Sequence, residues 1–480
     1  VQTPTLSLLV RREKDRRAFI PKPYHILNAT FTFNNTEYIG KWIDPDFKKD
    51  DSRPELKKDR IWERLKADEI INKCKGHPAT VEESSKKSTQ KCPPLYDLTS
   101  LQREANSRFG FSAQNTLSIA QALYERHKVL TYPRTDSRHL PEDYVREVKT
   151  LMKVQSNWKY GKYADIALEK KYIKPDKRIF NDKKISDHHA IIPTTKLPAD
   201  LSEPEYKIYQ MVIQRFLAIF LPAAEYNNTK RISTVQQEQF LTEGKILVIP
   251  GWKAVYTDNG SKAGSDKDLT PVPAGVSPLT KEIEREDTET KPAPRYNEAT
   301  LLSAMENSDK FIEDEELAEA MKERGLGTPA TRAAIIEKLI KEKYVVRESK
   351  ELNPTGKAFE LLSLLEAMKI EALASPEMTG NWEHKLNLIL KKEFTREKFM
   401  AEIRVLTEHI ISQIKNFDST EERQEASFSP VNGIHFFTSP TAYISEDKSI
   451  TIRKVLGGRV MEEHEIVALI KGETIGPFSD

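Results

Sequence analysis

The sequence predicts a multidomain α+β fold. Helical and strand periods alternate along the chain in long blocks, in the order helix, strand, helix, strand, helix. Its 480 residues exceed a single core, and about three domains fit the usual size. Hydrophobic residues make up 38% and charged residues 31%, lean for one large globule and ample for several small cores.

Net charge is only +2, so a nucleic-acid surface would have to come from local clustering of the 75 Lys and Arg residues. Cys74 and Cys92 form no CxxC, which argues against a zinc ribbon or a disulfide framework and fits a reducing, cytoplasmic setting. No apolar run reaches spanning length and no signal peptide is present. The chain opens at Val1 in what reads as a helix already under way, and GETIGPFSD ends it without a cap. Both ends read as cut.

Taken in order, residues 5–19 carry Leu6, Leu9, Val10 and Phe19 on one helical stripe. The period then becomes two, and YHILNATFTFNNTEYIGKW reads as strands around an Asn-Asn turn. KKDDSRPELKKDRIWERLK reads as solvated helix or loop, and HPATVEESSKKSTQKCPPLYDL as a strand ending at Pro-Pro. Helical pattern dominates from Thr99 to Pro222, with Ser112 capping a helix whose Thr116, Ile119, Ala120 and Leu123 share a face. Residues 226–290 return to strands, with NGSKAGSDKDLTPVPAGVSPLT as a loop. Tyr296 to Asn416 is helical, and 428–480 holds short strands and one small helix. Two β segments flanking a helical insert can pair into one sheet, and the outer helical segments can pack together. The chain would go out, turn and come back as an arch.

Four stretches carry chemistry. In TYPRTDSR, an extended backbone points Tyr132 and Arg134 the same way, with Pro133 fixing the chain between them. A tyrosine hydroxyl, with a pKa of about 10, is a weak nucleophile. A neighbouring guanidinium favours the phenolate and stabilises charge on an attacked phosphate. Asp136 and Ser137 are read as caps of the following helix, with Pro141 in its first turn. In SDHHAIIPT, His188 and His189 point to opposite faces, so they are no chelating pair, and one can serve a phosphate. GLGTPATR offers a Thr328 N-cap, Pro329 at the first position and free N–H groups for an anion, and Arg332 opposes the helix dipole there. The stretch from 323 to 362 has the order of a winged helix. In MTGNWEHKL, Trp382, His384 and Lys385 offer stacking and charge to a single strand. Taken alone, each stretch also has an ordinary structural role.

Together these stretches resemble the type IA DNA topoisomerases, and among them the bacterial topoisomerase III group. VQTPTLSLLV, LQREANSRFGFSAQNTLSIAQALYE, TYPRTDSR, SDHHAIIPT, RYNEATLLSAME, GLGTPATRAAIIEKL, LNPTGKAFELL and MTGNWEHKL fall in family order over residues 1 to about 415. The resemblance implies the type IA arch: a helical DNA-binding base (1–22 and 291–415), a β arch (23–92 and 223–290) and a helical gate with the tyrosine (93–222). Residues 416–480 would be an accessory module without zinc cysteines.

It further implies that Tyr132 attacks single-stranded DNA to give a 5′-phosphotyrosine, that a strand passes, and that resealing needs no ATP. The DNA would be relaxed or decatenated. Arg134 matches the phosphate-contacting arginine and His188 the histidine of the SDHHAIIPT motif. Gln2, Thr328, Thr331 and Arg332 fall in motifs that line the DNA groove, and His189 and Trp382 are further DNA-contacting positions. The family uses Mg²⁺ held by acids of a Toprim domain that precedes the VQTP motif. No residues here match those acids, so the expectation is no metal ligand in this chain and poor activity by the chain alone. Implied partners are single-stranded DNA and a helicase, for a nucleoid-associated monomer that needs no membrane. The alternative is a non-catalytic single-stranded DNA-binding fragment. A relaxase or tyrosine recombinase would want a histidine triad or an Arg-His-Arg set, and neither is found.

Overall fold

The computed structural model describes residues 1–257, 269–312, 314–322, 325–417 and 424–476. Helix α1 (Gln2–Arg17) leads into strands β1 (Pro23–Phe33) and β2 (Thr36–Ile43), helix α2 (Arg64–Cys74) and strand β3 (Thr80–Gln90). Five helices follow: α3 (Leu98–Phe109), α4 (Ala113–Glu125), α5 (Val145–Gln155), α6 (Gly161–Glu169) and α7 (Glu203–Ala218). Strands β4 (Ala224–Val235) and β5 (Glu238–Ile249), the short α8 (Ala254–Thr257) and β6 (Leu279–Glu289) return to the sheet.

The sheet is antiparallel in the order β3-β4-β5-β2-β1-β6. Strands from before and after the helical insert therefore join in one sheet, with β4 and β5 between β3 and β2, as the nested order of the sequence anticipated. The β1–β2 turn is Asn34-Asn35, with φ of 43° and 60°. This left-handed pair matches the twist of the hairpin, and asparagine tolerates it well. Alternate residues Leu27, Ala29, Phe31 and Phe33 face a core shared with Ala67, Ile70 and Cys74 of α2. Burying each large side chain contributes roughly 2 kcal/mol. Residues 258–268, which include the first part of the expected Gly/Pro-rich loop, lie outside the described residues; 269–278 are irregular.

The helical insert has its own core, running from Cys92 to Val255. Its elements begin on side-chain caps. Asp97 closes a capping box at α3, Ser112 accepts from Asn115 N–H at α4, and Ser202 with Glu205 caps α7. Each cap satisfies an N–H that a helix start leaves unpaired. The two crossings between sheet and insert are held together by Trp252. Its indole N–H donates to Gln90 O (2.8 Å) and its backbone N–H to Pro222 O (3.0 Å).

A third core joins Leu6, Leu8, Leu9 and Val10 of α1 to the second long helical segment. That segment holds α9 (Glu298–Glu306), α10 (Glu315–Lys322), α11 (Pro329–Lys341), the hairpin β7 (Val345–Glu348) and β8 (Glu351–Pro354), α12 (Gly356–Ala367), α13 (Pro376–Leu390) and α14 (Arg396–Asn416). Helix α11, the hairpin and α12 have winged-helix order. Helix α1 stops at Arg17, so Phe19, expected on its stripe, lies beyond it. The tail pairs β9 (Gln424–Glu425), β10 (Phe436–Thr438), β11 (Ala442–Ser445) and β12 (Thr451–Arg453) in one sheet. Strands β13 (Val455–Leu456) and β14 (Arg459–Val460) and helix α15 (Glu463–Ile470) complete it. It rests on α12, where Gly356 N–H donates to Gly458 O at 2.9 Å.

Candidate active site

Tyr132 sits in the stretch between α4 and α5, which is not a regular strand. Its direction is fixed by hydrogen bonds to the segment 184–194 running alongside. Thr131 N–H donates to Ile192 O (3.0 Å), and Thr131 Oγ1 accepts from Ile192 N–H (3.0 Å). Thr135 Oγ1 donates to His188 O (2.8 Å), Ser186 Oγ to Asp136 Oδ1 (2.9 Å) and Ser137 Oγ to Lys184 O (2.8 Å). Pro133, Thr135 and Ser137 are buried while Arg134 and Asp136 are exposed and Tyr132 is half-buried. This is the alternation an extended backbone imposes. Asp136 and Ser137 are thus spent on the neighbouring segment and do not cap a helix. The turn that follows, Glu142–Tyr144, begins at Pro141 without a side-chain cap.

The phenol is enclosed by two rings. His188 lies against it, tilted, with centroids 4.3 Å apart, and Tyr124 of α4 meets it edge-on at 5.5 Å. One helical turn earlier on α4, Gln121 faces Arg134. With its amide oxygen turned to the guanidinium, Gln121 accepts from Arg134 Nη2 (2.9 Å) and Nε (3.2 Å). Arg134 thereby keeps a fixed orientation with Nη1 directed elsewhere. His189 turns the other way, as the sequence anticipated for adjacent histidines: its ring lies 5.0 Å from that of Tyr144 and its Nδ1 donates to Ala190 O at 2.8 Å. Burial, aided by the charge of His188, holds its pKa below the usual histidine value against the pull of the Ala190 bond. An exposed arginine, a half-buried tyrosine and an exposed histidine on one loop surface suit an anionic, extended substrate.

The sequence profile of the DNA topoisomerase family matches residues 1–401. The chain belongs to the type IA DNA topoisomerases. DNA topoisomerase 3 of Bacillus subtilis is 38% identical over 430 residues, which cover 88% of this chain and 57% of that protein. DNA topoisomerase 3 of Bacillus cereus is 38% identical over 438 residues, 89% of this chain and 58% of the relative. The chain therefore spans somewhat over half the length of these relatives. Among solved structures, full-length topoisomerase I from Thermotoga maritima superposes with a TM-score of 0.67 at 21% identity, covering 96% of this chain and 71% of that one. This is a likeness of fold.

The remaining positions singled out in this topoisomerase sequence lie on the outer helical unit, and Arg332 among them feels the charges of Asp136 and Arg138 on the tyrosine segment. Thr328 and Thr331 form the capping box of α11 and are exposed. A Cβ on Gly327 would lie 3.5 Å from Val1, so exposed Gln2 shares this corner. Arg332, expected to line the DNA groove, is buried in this conformation. It is 3% exposed, and its Nη1 donates to Thr99 Oγ1 (2.9 Å) and its Nε to Leu326 O (3.3 Å). In this conformation it joins α11 to α3. Trp382 is half-buried on α13, which packs against α10.

Asp136 is engaged by Ser186, and among the described residues no group of three or more His, Cys, Asp or Glu is placed to hold a metal ion. Sequence reasoning missed Gln121 and Tyr124. Their one-turn spacing on a predicted helix put them on one face, but only the returning chain shows that this face meets Tyr132.

Proposed function

We propose that the chain is the core of an ATP-independent topoisomerase that cuts one DNA strand, lets another strand through and reseals. The observation that carries this reading is the half-buried Tyr132 phenol between His188 and Tyr124, next to an arginine oriented by Gln121. Tyr132 Oη bonds to the phosphorus of a single-stranded phosphodiester while the bond to the 3′ oxygen breaks. The phenol gives up its proton and the leaving 3′ oxygen gains one, so the step is balanced. Arg134 faces the charge that builds on the phosphate, and His188 stands where a proton could be steered. One ester replaces another of similar energy, so the reverse attack reseals the strand without ATP. Family membership and relatives named DNA topoisomerase 3 favour this reading. Among the described residues no group of three or more His, Cys, Asp or Glu is placed to hold the Mg²⁺ that the family implies.

In this reading residues 93–222 are the movable gate, 23–92 with 223–290 the arch, 1–22 with 291–415 the base, and 416–480 an accessory unit. Single-stranded DNA would run past His189 and the α11 corner of Gln2, Thr328 and Thr331, with Trp382 further along the base. The setting would be a nucleoid-associated monomer working beside a helicase; among the described residues no helix is long and apolar enough to cross a membrane.

The test is covalent trapping of a labelled single-stranded oligonucleotide in Mg²⁺, with and without an added Toprim domain from a relative. A denaturation-resistant adduct that Tyr132→Phe abolishes is expected. Tight binding of the oligonucleotide with no adduct in either arm would overturn the reading in favour of a non-catalytic DNA-binding fragment.

A further inference from the structure

The contact between the helical insert and the outer helical unit is built mainly from polar groups. Arg332 reaches Thr99, Ala113 N–H donates to Glu298 Oε2 (2.6 Å), and Ala299 N–H to Asn106 Oδ1 (3.4 Å). Among the described residues, Ala113 is the one insert residue buried in the outer unit's core. Such polar groups exchange partners with water when two surfaces part, so separation costs less than tearing an apolar core.

One residue links this contact to the reacting tyrosine. Arg138, six residues past Tyr132, divides its fork between two units. Its Nε donates to Asp97 Oδ2 (2.7 Å) within the insert, and its Nη2 donates to Glu306 Oε1 (2.9 Å) at the end of α9 in the outer unit. Glu306 also accepts from Arg103 at 3.3 Å. Asp97 caps α3, and the next N–H, of Leu98, donates to Thr135 O at 3.1 Å. The Asp97–Arg138 pair and the Leu98–Thr135 bond thus brace the tyrosine segment from two points, and Glu306 ties that braced segment to the outer unit. A planar fork suits this task, since its donors diverge in a fixed geometry that the point charge of an ammonium does not reproduce.

We propose that Arg138 is a positioning residue for strand cleavage. Its ion pair with Glu306 holds the Tyr132 segment in its cutting register while the insert is seated on the outer unit, and lets that register go when the two part. Cleavage is thereby confined to the closed form. The proposal rests on the reading of Tyr132 as nucleophile and adds the residue pair that ties its alignment to closure.

The experiment places spin labels on cysteines introduced at exposed Lys170 and Lys350, on the two units, and measures their distance distribution. Native Cys74 and Cys92 are buried, with burial pushing their thiols up to about 11 and about 12, so they stay unlabelled. Glu306→Gln and Arg138→Gln should each raise the longer-distance population about five-fold. The double variant should do no more than the stronger single one. Arg138→Lys should behave as Glu306→Gln does. Covalent adduct with a single-stranded oligonucleotide should fall in step with the closed population. Unchanged distances in both single variants, or fully additive effects, would overturn the proposal. If the parent forms no adduct at all, the reading of Tyr132 fails, while the distances still decide whether this pair holds the closed form.

Discussion

The imidazole of His188 lies against the Tyr132 ring, tilted 43° with centroids 4.3 Å apart, while the His188 carbonyl accepts the Thr135 hydroxyl at 2.8 Å. The backbone bond fixes the histidine relative to the loop that carries the tyrosine. The side chain is therefore held beside the phenol without being bonded to it, free to meet a phosphate oxygen. His188→Ala should slow single-turnover cleavage of an oligonucleotide by about 10²-fold and leave equilibrium binding within a factor of about three. His188→Asn should recover part of the rate. Equal losses in binding and in rate would place His188 in the groove and outside the chemistry.

Arg134 is oriented by Gln121 through two of its donors. The guanidinium meets a phosphate as a fork, and lysine offers only a point charge. Arg134→Lys should cost on the order of 10²-fold in adduct formation, yet hold most of the affinity for single-stranded DNA. Affinity in the parent should fall with salt at about 0.7 per neutralised phosphate, summing to a few phosphates. A steep slope would mean broad coating of the protein, and a lysine variant of full activity would remove the fork argument.

Gly251 has φ of +50°, and a Cβ there would come within 2.5 Å of the carbonyls of Pro222 and Ala223. It stands just before Trp252, which ties the two crossings between sheet and insert. Gly251→Ala should destabilise the chain by about 2 to 3 kcal/mol through backbone strain and loss of this tie. Chemical denaturation monitored by tryptophan fluorescence measures it. A change below about 0.5 kcal/mol would show that the crossings absorb the methyl group without strain.

Local order was legible wherever short-range chemistry decides it. The Asn34-Asn35 turn, the Ser112 cap, the Thr328 cap with Pro329, and the buried face of Thr116, Ile119, Ala120 and Leu123 were read from spacing alone. The pairing of distant β segments followed from their nested order. What spacing does not encode is which surface a side chain meets when the chain returns. Spacing puts Arg332 at a helix start that favours anions, and it does not show that Thr99 of α3 takes one of its donors in this conformation. Asp136 and Ser137 looked like caps because their composition suits one, yet the 184–194 segment claims them first. Gln121 and Tyr124 meet Arg134 and Tyr132 a short way along the chain, but through an irregular turn whose path no periodicity encodes, and the Arg138–Glu306 pair joins residues 168 apart.

His139 and His189 flank the tyrosine segment, and both are held below the usual histidine pKa. For His139 the causes are burial, then the charges of Lys184 and Arg138; for His189, burial first, with His188 adding to it. A histidine whose folded pKa lies under its unfolded value binds protons more readily when unfolded. Its contribution to stability is complete above the unfolded value of about 6.5 and is lost as pH falls from there toward the folded pKa, below which no more is lost. Paired carboxylates such as Glu205, held at about 2, add their own loss only at pH below about 4.5. The interval between about pH 6.5 and 5 is therefore governed by histidines. Tm should decline across it as pH falls. His189→Asn keeps a donor for Ala190 O and no longer titrates, so it should flatten part of the decline, and adding His139→Gln should flatten it further. A Tm that stays level in the parent, or a decline untouched in the double variant, would show that the protons are taken up elsewhere.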